Sequence, residues 1–344
     1  MAIAEQPDMT PKRIMEMAWG FAPPLILEAA TRLKVFDVLD DGPKTIQETA
    51  DATKASVRGL TALMDALVGL NLLARRGPRY GLTPESSAFL VSTKPAFQGG
   101  FFRHIGRQLI ARWIGLTDAV QTGNPIVSVN QQNGGAEFFR DFVEDLFPMN
   151  YPAARALAAD LEGPLSALAA GGPVNVLDIA AGSGLWGIAL AERLPAARVT
   201  AVDWPVVAPV ARKVAARHQV ADRYRVIEGD LLEADFGGGY HVATLGHILH
   251  SEGDARSRQL IQKVFEALAP GGTIAIAEFV ADEGRQGPPM PLIFSVNMLV
   301  ATDRGRTFTF GEMTQWLRET GFQKARLLNA PAVSPLLLAE KAGF

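Results

Sequence analysis

The chain of 344 residues contains no cysteine. That excludes disulfides, thiolate metal sites and cysteine nucleophiles together, and fits a reducing cytoplasm. An excess of positive charge is also missing: 33 Lys and Arg stand against 36 Asp and Glu, a net charge of -3. Nothing in that balance advertises a nucleic-acid partner. No apolar run approaches the roughly 20 residues needed to span a bilayer. The greasiest stretch, Pro289 to Ala301, is short and interrupted by Asn297, which marks it as a pocket-lining helix. The start, MAIAEQPDMT, lacks the basic and apolar segments of a signal peptide. These absences predict a soluble, cytoplasmic protein without a membrane partner.

The first hundred residues read as helices. Pro23-Pro24 opens LILEAATRLKVFDVL, whose apolar positions recur at helical spacing until Gly42-Pro43 breaks the pattern. Thr45 with Glu48 three residues later makes a capping box for a short helix over 46–52, and a second helix is expected over 56–70. Gly77-Pro78 then joins two short runs into a hairpin, completing the outline of a winged helix. A helix that reads DNA brings several basic residues, yet this one carries Arg58 alone beside Asp65, with Arg75, Arg76 and Arg79 in the hairpin. Packing or dimerisation is the better reading, and the apolar helices point to a homodimer. Residues 97–170 continue as an aromatic-rich helical linker that contributes to a substrate pocket, its flat walls suiting a flat organic molecule.

After Gly171-Gly172-Pro173 the texture changes. The runs VNVLDI, RVTAVD, RVIEGD, HVATLG, TIAIAEFV and PLLLAE alternate with helical segments. That alternation predicts a doubly wound, Rossmann-like α/β sheet over 171–344, preceded by a winged-helix-like domain over 1–96.

Val174 to Ile179 runs into Ala180-Ala181-Gly182-Ser183-Gly184, a glycine turn at the carboxyl end of a parallel strand. Gly182, Gly184 and Gly187 also satisfy the dinucleotide fingerprint, with Asp203 about 20 residues on. A nicotinamide-dependent oxidoreductase is therefore one reading, although no Tyr-x-x-x-Lys donor is evident. A ligand-sensing DNA-binding regulator is another. Two features favour S-adenosylmethionine. Asp178, inside the strand end, would repel a pyrophosphate but tolerate a sulfonium. Asp203 and Asp230 close the next two strands, where they can accept from ribose hydroxyls and from an adenine amino group.

The motifs VLDIAAGSG, AVDWP, VIEGDLLEADF, ILHSEGD, LAPGGTIAIAEF and WLRETGF together resemble the class I O-methyltransferases of the plant caffeate and bacterial polyketide-tailoring type. The resemblance covers nearly the whole chain and implies a winged-helix-like dimerisation domain. It also implies a cofactor site built from Ala180, Gly182, Gly184, Asp203, Trp204, Asp230 and Leu231. In that pattern the base follows two apolar residues, so Ile248-Leu249-His250 makes His250 the expected catalytic base and Glu278 the carboxylate that orients it. Ser251-Glu252 replaces the usual Asp-Trp pair, and Gly305 stands where the family often places a second glutamate. His247 and His250 have the spacing of metal ligands, but no third ligand is evident and no metal is expected. Phe294, Asn297 and Met298 are expected to line the pocket of a small aromatic or polycyclic acceptor, whose hydroxyl takes the methyl group. Nitrogen or carbon as the methylated atom stays open, as does the need for His250.

Overall fold

The computed structural model describes residues 10–129 and 132–343. The reading of residues 1–9 lies outside this range. The chain divides into two compact units after Ile110, within the stretch read as a linker.

The first unit comprises α1 (Lys12–Ala18), α2 (Ala22–Arg32), α3 (Val35–Asp40), β1 (Lys44–Thr45), α4 (Ile46–Thr53), α5 (Val57–Gly69), β2 (Leu73–Arg76), β3 (Arg79–Leu82), α6 (Pro84–Phe89) and α7 (Gly99–His104). The run expected as one helix after Pro23 is two, because Lys34 adopts a left-handed conformation between them. The Thr45–Glu48 capping box forms as expected, and the Ser56 side chain accepts from Gly59 N at the next helix start. Strand β3 pairs with both β2 and β1 in a small antiparallel sheet. Phe36, Leu60, Met64, Leu67 and Tyr80 fill the core of this unit. Two arginines of the hairpin are engaged by acids, Arg75 with Asp65 and Arg79 with Glu48.

The chain then continues through α8 (Ile110–Trp113), α9 (Leu116–Thr122), the long α10 (Gln132–Ala169), β4 (Val174–Ile179), α11 (Leu185–Arg193), β5 (Ala197–Asp203), α12 (Ala208–Arg217), β6 (Tyr224–Glu228) and β7 (Tyr240–Gly246). It closes with α13 (Leu249–Ala267), β8 (Leu268–Ala277), β9 (Val280–Ala281), α14 (Pro289–Ala301), β10 (Phe308–Thr309), α15 (Phe310–Thr320), β11 (Phe322–Leu328) and β12 (Leu336–Lys341). Seven strands form one sheet in the order β11-β12-β8-β7-β4-β5-β6. The five strands from β8 to β6 are parallel, and β12 alone is reversed, pairing antiparallel with both β8 and β11. Buried residues pack on both faces of the sheet, with Trp186, Ile188 and Leu190 of α11 in one cluster and Leu260, Ile261 and Val264 of α13 in the other. The order reverses between β4 and β7. Ligands of open α/β sheets bind in the crevice at the carboxyl ends beside such a reversal.

Candidate active site

The crevice at that reversal opens into a cavity of about 140 Å³, walled by Ala180 to Ser183, Asp203-Trp204, Asp230-Leu231, Gly246 to Ile248 and His250 to Glu252. Six of the seven residues expected from the resemblance to build the cofactor site line it: Ala180, Gly182, Asp203, Trp204, Asp230 and Leu231. Gly184 does not. It caps the N-terminus of α11 in a left-handed conformation, with the Tyr224 hydroxyl filling the place where a Cβ would stand.

The three acids do different work. Asp178 is wholly buried inside β4, accepting from Gly187 N at 3.0 Å and from Thr244 Oγ1 at 2.7 Å. Its carboxylate ties the glycine turn and the first turn of α11 to the sheet rather than facing the cavity. Burial pushes its pKa up to about 7, against the pull of those two hydrogen bonds. Asp203 ends β5 and faces the cavity, its two oxygens accepting from Gly182 N and Trp204 N at 2.7 Å each. Burial raises it to about 6. Asp230 lies two residues past β6, in a turn where it accepts from Leu232 N.

Gly187, the third glycine of the dinucleotide fingerprint, is explained by packing. A Cβ there would come within 2.6 Å of Val199 and 3.0 Å of the Asp178 carboxylate. Close approach of α11 to the sheet needs a glycine at this position whatever the cofactor.

His250 sits in the first turn of α13, almost fully buried, where its Nδ1 meets Glu278 Oε2 at 2.6 Å. The second oxygen of Glu278 accepts from His250 N. Burial raises the Glu278 pKa, but His250 and His247 outweigh it and hold the group below the usual carboxylate value. An ionised carboxylate only accepts, so Nδ1 carries the proton and Nε2 is left as the basic nitrogen. His247 lies beside this pair in a left-handed backbone conformation that strains a non-glycine residue, and burial pushes its pKa down to about 4. Its Nδ1 is buried without a hydrogen-bond partner. His247, His250 and Glu278 offer ligand atoms within 4.8 Å of one another, so the fold supplies the third member that spacing alone does not show. Within this group, His250 and Glu278 already satisfy each other.

Phe294 packs edge-on against the His250 ring at 4.9 Å and stacks on Phe279 at 4.0 Å. None of Phe294, Asn297 and Met298, expected to line the acceptor pocket, lines this cavity. Asn297 accepts from Trp113 Nε1 at 2.9 Å, and Met298 is buried. Other wall residues, apart from Phe139 of the aromatic linker, escape the sequence reading. Phe139, Val143, Leu146 and Asn150 on α10 face the cavity at helical spacing, and Ser183 adds a buried hydroxyl without a hydrogen-bond partner. At the Asp230 end, Glu252 and Arg256 complete the wall. The stripe on α10 could have been found from its period. Arg256 could have been noticed only as the partner four residues beyond Glu252.

A family model described as the O-methyltransferase dimerisation domain matches residues 15–92, and one described as the O-methyltransferase domain matches 113–323. The 3-hydroxy-5-methyl-1-naphthoate 3-O-methyltransferase of Streptomyces sahachiroi is 30% identical over 338 residues, 96% of each chain. The crystal structure of human N-acetylserotonin methyltransferase in complex with SAM superimposes with a TM-score of 0.83 at 25% identity, covering 99% of this chain and 100% of that one. PigF with SAH gives 0.82 at 26% identity, covering 97% of this chain and 100% of that one. The sheet order, the cavity at its reversal and these likenesses agree: the chain belongs to the S-adenosylmethionine-dependent O-methyltransferases that carry an N-terminal dimerisation domain.

Proposed function

We propose that the protein methylates a hydroxyl on a small aromatic or polycyclic acceptor, with His250 as general base and Glu278 orienting it. The observation that carries this reading is the buried His250–Glu278 contact of 2.6 Å on the cavity wall. Methyl transfer is an in-line displacement, in which the acceptor oxygen attacks the methyl carbon as the thioether departs. Holding the two partners in line removes much of the entropic barrier. A phenol has a pKa near 10, so a positioned imidazole that takes its proton contributes further rate. The aromatic rings of Phe279 and Phe294 beside His250 suit a flat acceptor, and the Streptomyces relative takes a naphthoate by its name. Among the residues of the cofactor wall, Asp203 would accept from the ribose hydroxyls and Asp230 from the adenine amino group. Phe294, edge-on against the His250 ring, would meet the acceptor next to the base.

Methyl transfer from S-adenosylmethionine to a panel of hydroxylated naphthoates and phenols tests the reading. His250→Ala is expected to lower kcat by roughly 10²–10⁴-fold while the Kd for S-adenosylhomocysteine stays within about twofold of wild type. Near-normal turnover in that variant would overturn the role of His250.

A further inference from the structure

Between the Asp230 turn and the start of α13, three charged side chains form a chain along the cavity wall. Arg256 donates from Nε to Glu252 Oε2 at 2.5 Å and from Nη2 to Asp230 Oδ2 at 3.2 Å. Glu252 is 7% exposed, whereas the Arg256 side chain keeps 43% of its surface open. All three residues line the cavity. Burying Glu252 this far from water is costly without a partner, and the guanidinium supplies one. Burial raises the Glu252 pKa, and Arg256 opposes that rise.

The geometry constrains what the guanidinium can offer. It is planar, and hydrogen bonds to carboxylates lie in its plane. Two of its edges are committed in that plane, one toward α13 and one toward the strand-end acid. What remains for a ligand is the flat face. A guanidinium face stacks on aromatic rings, and an adenine is such a ring.

We propose that Arg256 is a cofactor-binding residue that stacks on the adenine, with Glu252 positioning it and Asp230 both anchoring it and meeting the adenine edge. The inference rests on the reading that places adenine at Asp230. It assigns Glu252 a purpose: an acid in the wall just before the Gly253 kink, bonded across it to Arg256, holds the plane in place. Lysine cannot replace arginine in this role. It would keep the charge and could still pair with Glu252 and Asp230, but it has no plane to stack.

Isothermal titration of the full-length protein with S-adenosylhomocysteine and with adenosine tests this, alongside a thermal melt of each variant. Arg256→Ala and Arg256→Lys are both expected to weaken both ligands by about tenfold, the scale of one stacking contact. Equal loss for adenosine localises the effect to the base and ribose. Wild-type affinity in Arg256→Lys would overturn the proposal, because the residue would then act only as an ion-pair partner. Loss for S-adenosylhomocysteine without loss for adenosine would overturn it too. The underlying placement fails separately: if Asp230→Asn leaves both affinities unchanged, adenine does not sit at that strand end.

Discussion

Asp203 shows how one side chain holds structure and, under the proposed function, would also bind the ribose. Its oxygens hold the glycine turn through Gly182 N and the following residue through Trp204 N, and burial raises its pKa to about 6. A ribose hydroxyl needs the ionised carboxylate as acceptor, so the cofactor selects the deprotonated form. The sign follows: affinity is constant well above pH 6 and weakens as pH falls through that value, by about tenfold per unit for one linked proton. Titration of S-adenosylhomocysteine at pH 7.5 and 5 should therefore differ by roughly tenfold, and Asp203→Asn should flatten the profile at a uniformly weaker level. An equal slope in Asp203→Asn would remove Asp203 as the linked group. The place of Asp203 on the cavity wall was legible because it is one of three acids that close successive strands after a glycine turn. Asp178 was legible as an important acid, but only the fold reveals that it ties Gly187 and Thr244 together inside the sheet. Asn297 illustrates the opposite difficulty. A polar residue in an apolar helix reads as a pocket residue, yet here it accepts from Trp113, 184 positions away, which no local pattern discloses.

The α13 start and the loop after α14 form a packed joint whose glycines explain one departure from the family pattern. A Cβ at Gly305 would collide with the His250 carbonyl oxygen and the Thr302 hydroxyl, and lie 3.2 Å from Ser251 Cα. Gly253, with φ of 71°, has the Arg304 backbone where its own Cβ would be. The loop therefore lies directly on the backbone that carries His250, and no acid fits at 305. Gly305→Glu, which reinstates the family's second glutamate, is expected to destabilise by about 1–3 kcal/mol through overpacking. For a domain of this size that lowers Tm by several degrees, and the displaced His250 backbone should reduce turnover as well. A variant melting with wild type and turning over faster would show that the loop yields. Elements with local signals were read correctly: the Thr45 capping box and the buried strands of the parallel sheet. Strand β11 was not. Gln323 to Leu327 are exposed at the sheet edge, so neither alternation nor an apolar run marks them. The split between α2 and α3 was also hidden, because Lys34 in a left-handed conformation has no turn residue to announce it.

At the scale of the molecule, the described N-terminal residues expose what a soluble surface normally covers. Helix α1 buries none of its residues, and Ile14, Met15, Met17, Trp19 and Phe21 are 72%, 58%, 62%, 69% and 56% exposed. Trp19 and Phe21 stack on one another with ring centroids 6.0 Å apart. Scattered exposed apolar residues are ordinary, but a contiguous group with two aromatics marks an association surface. The dimerisation family model begins at residue 15, within this group, which supports a second copy as the partner. The sequence pointed to a dimer from apolar helices alone, without telling which apolar positions turn inward; Phe36 and Leu39 are buried while Trp19 is not. Aromatic residues dominate interface energetics, so removing two from the centre of the patch should shift the equilibrium strongly. Light scattering coupled to size exclusion is expected to give a mass about twice 36.9 kDa for the wild type. Trp19→Asp combined with Phe21→Asp should raise the dimer dissociation constant by at least about 100-fold, the effect of placing two charges in an apolar interface. At micromolar concentration the variant should then approach the monomer mass, with unfolding by circular dichroism still cooperative. A monomeric wild type, or a double variant that remains a dimer, would move the interface away from the Ile14–Phe21 surface.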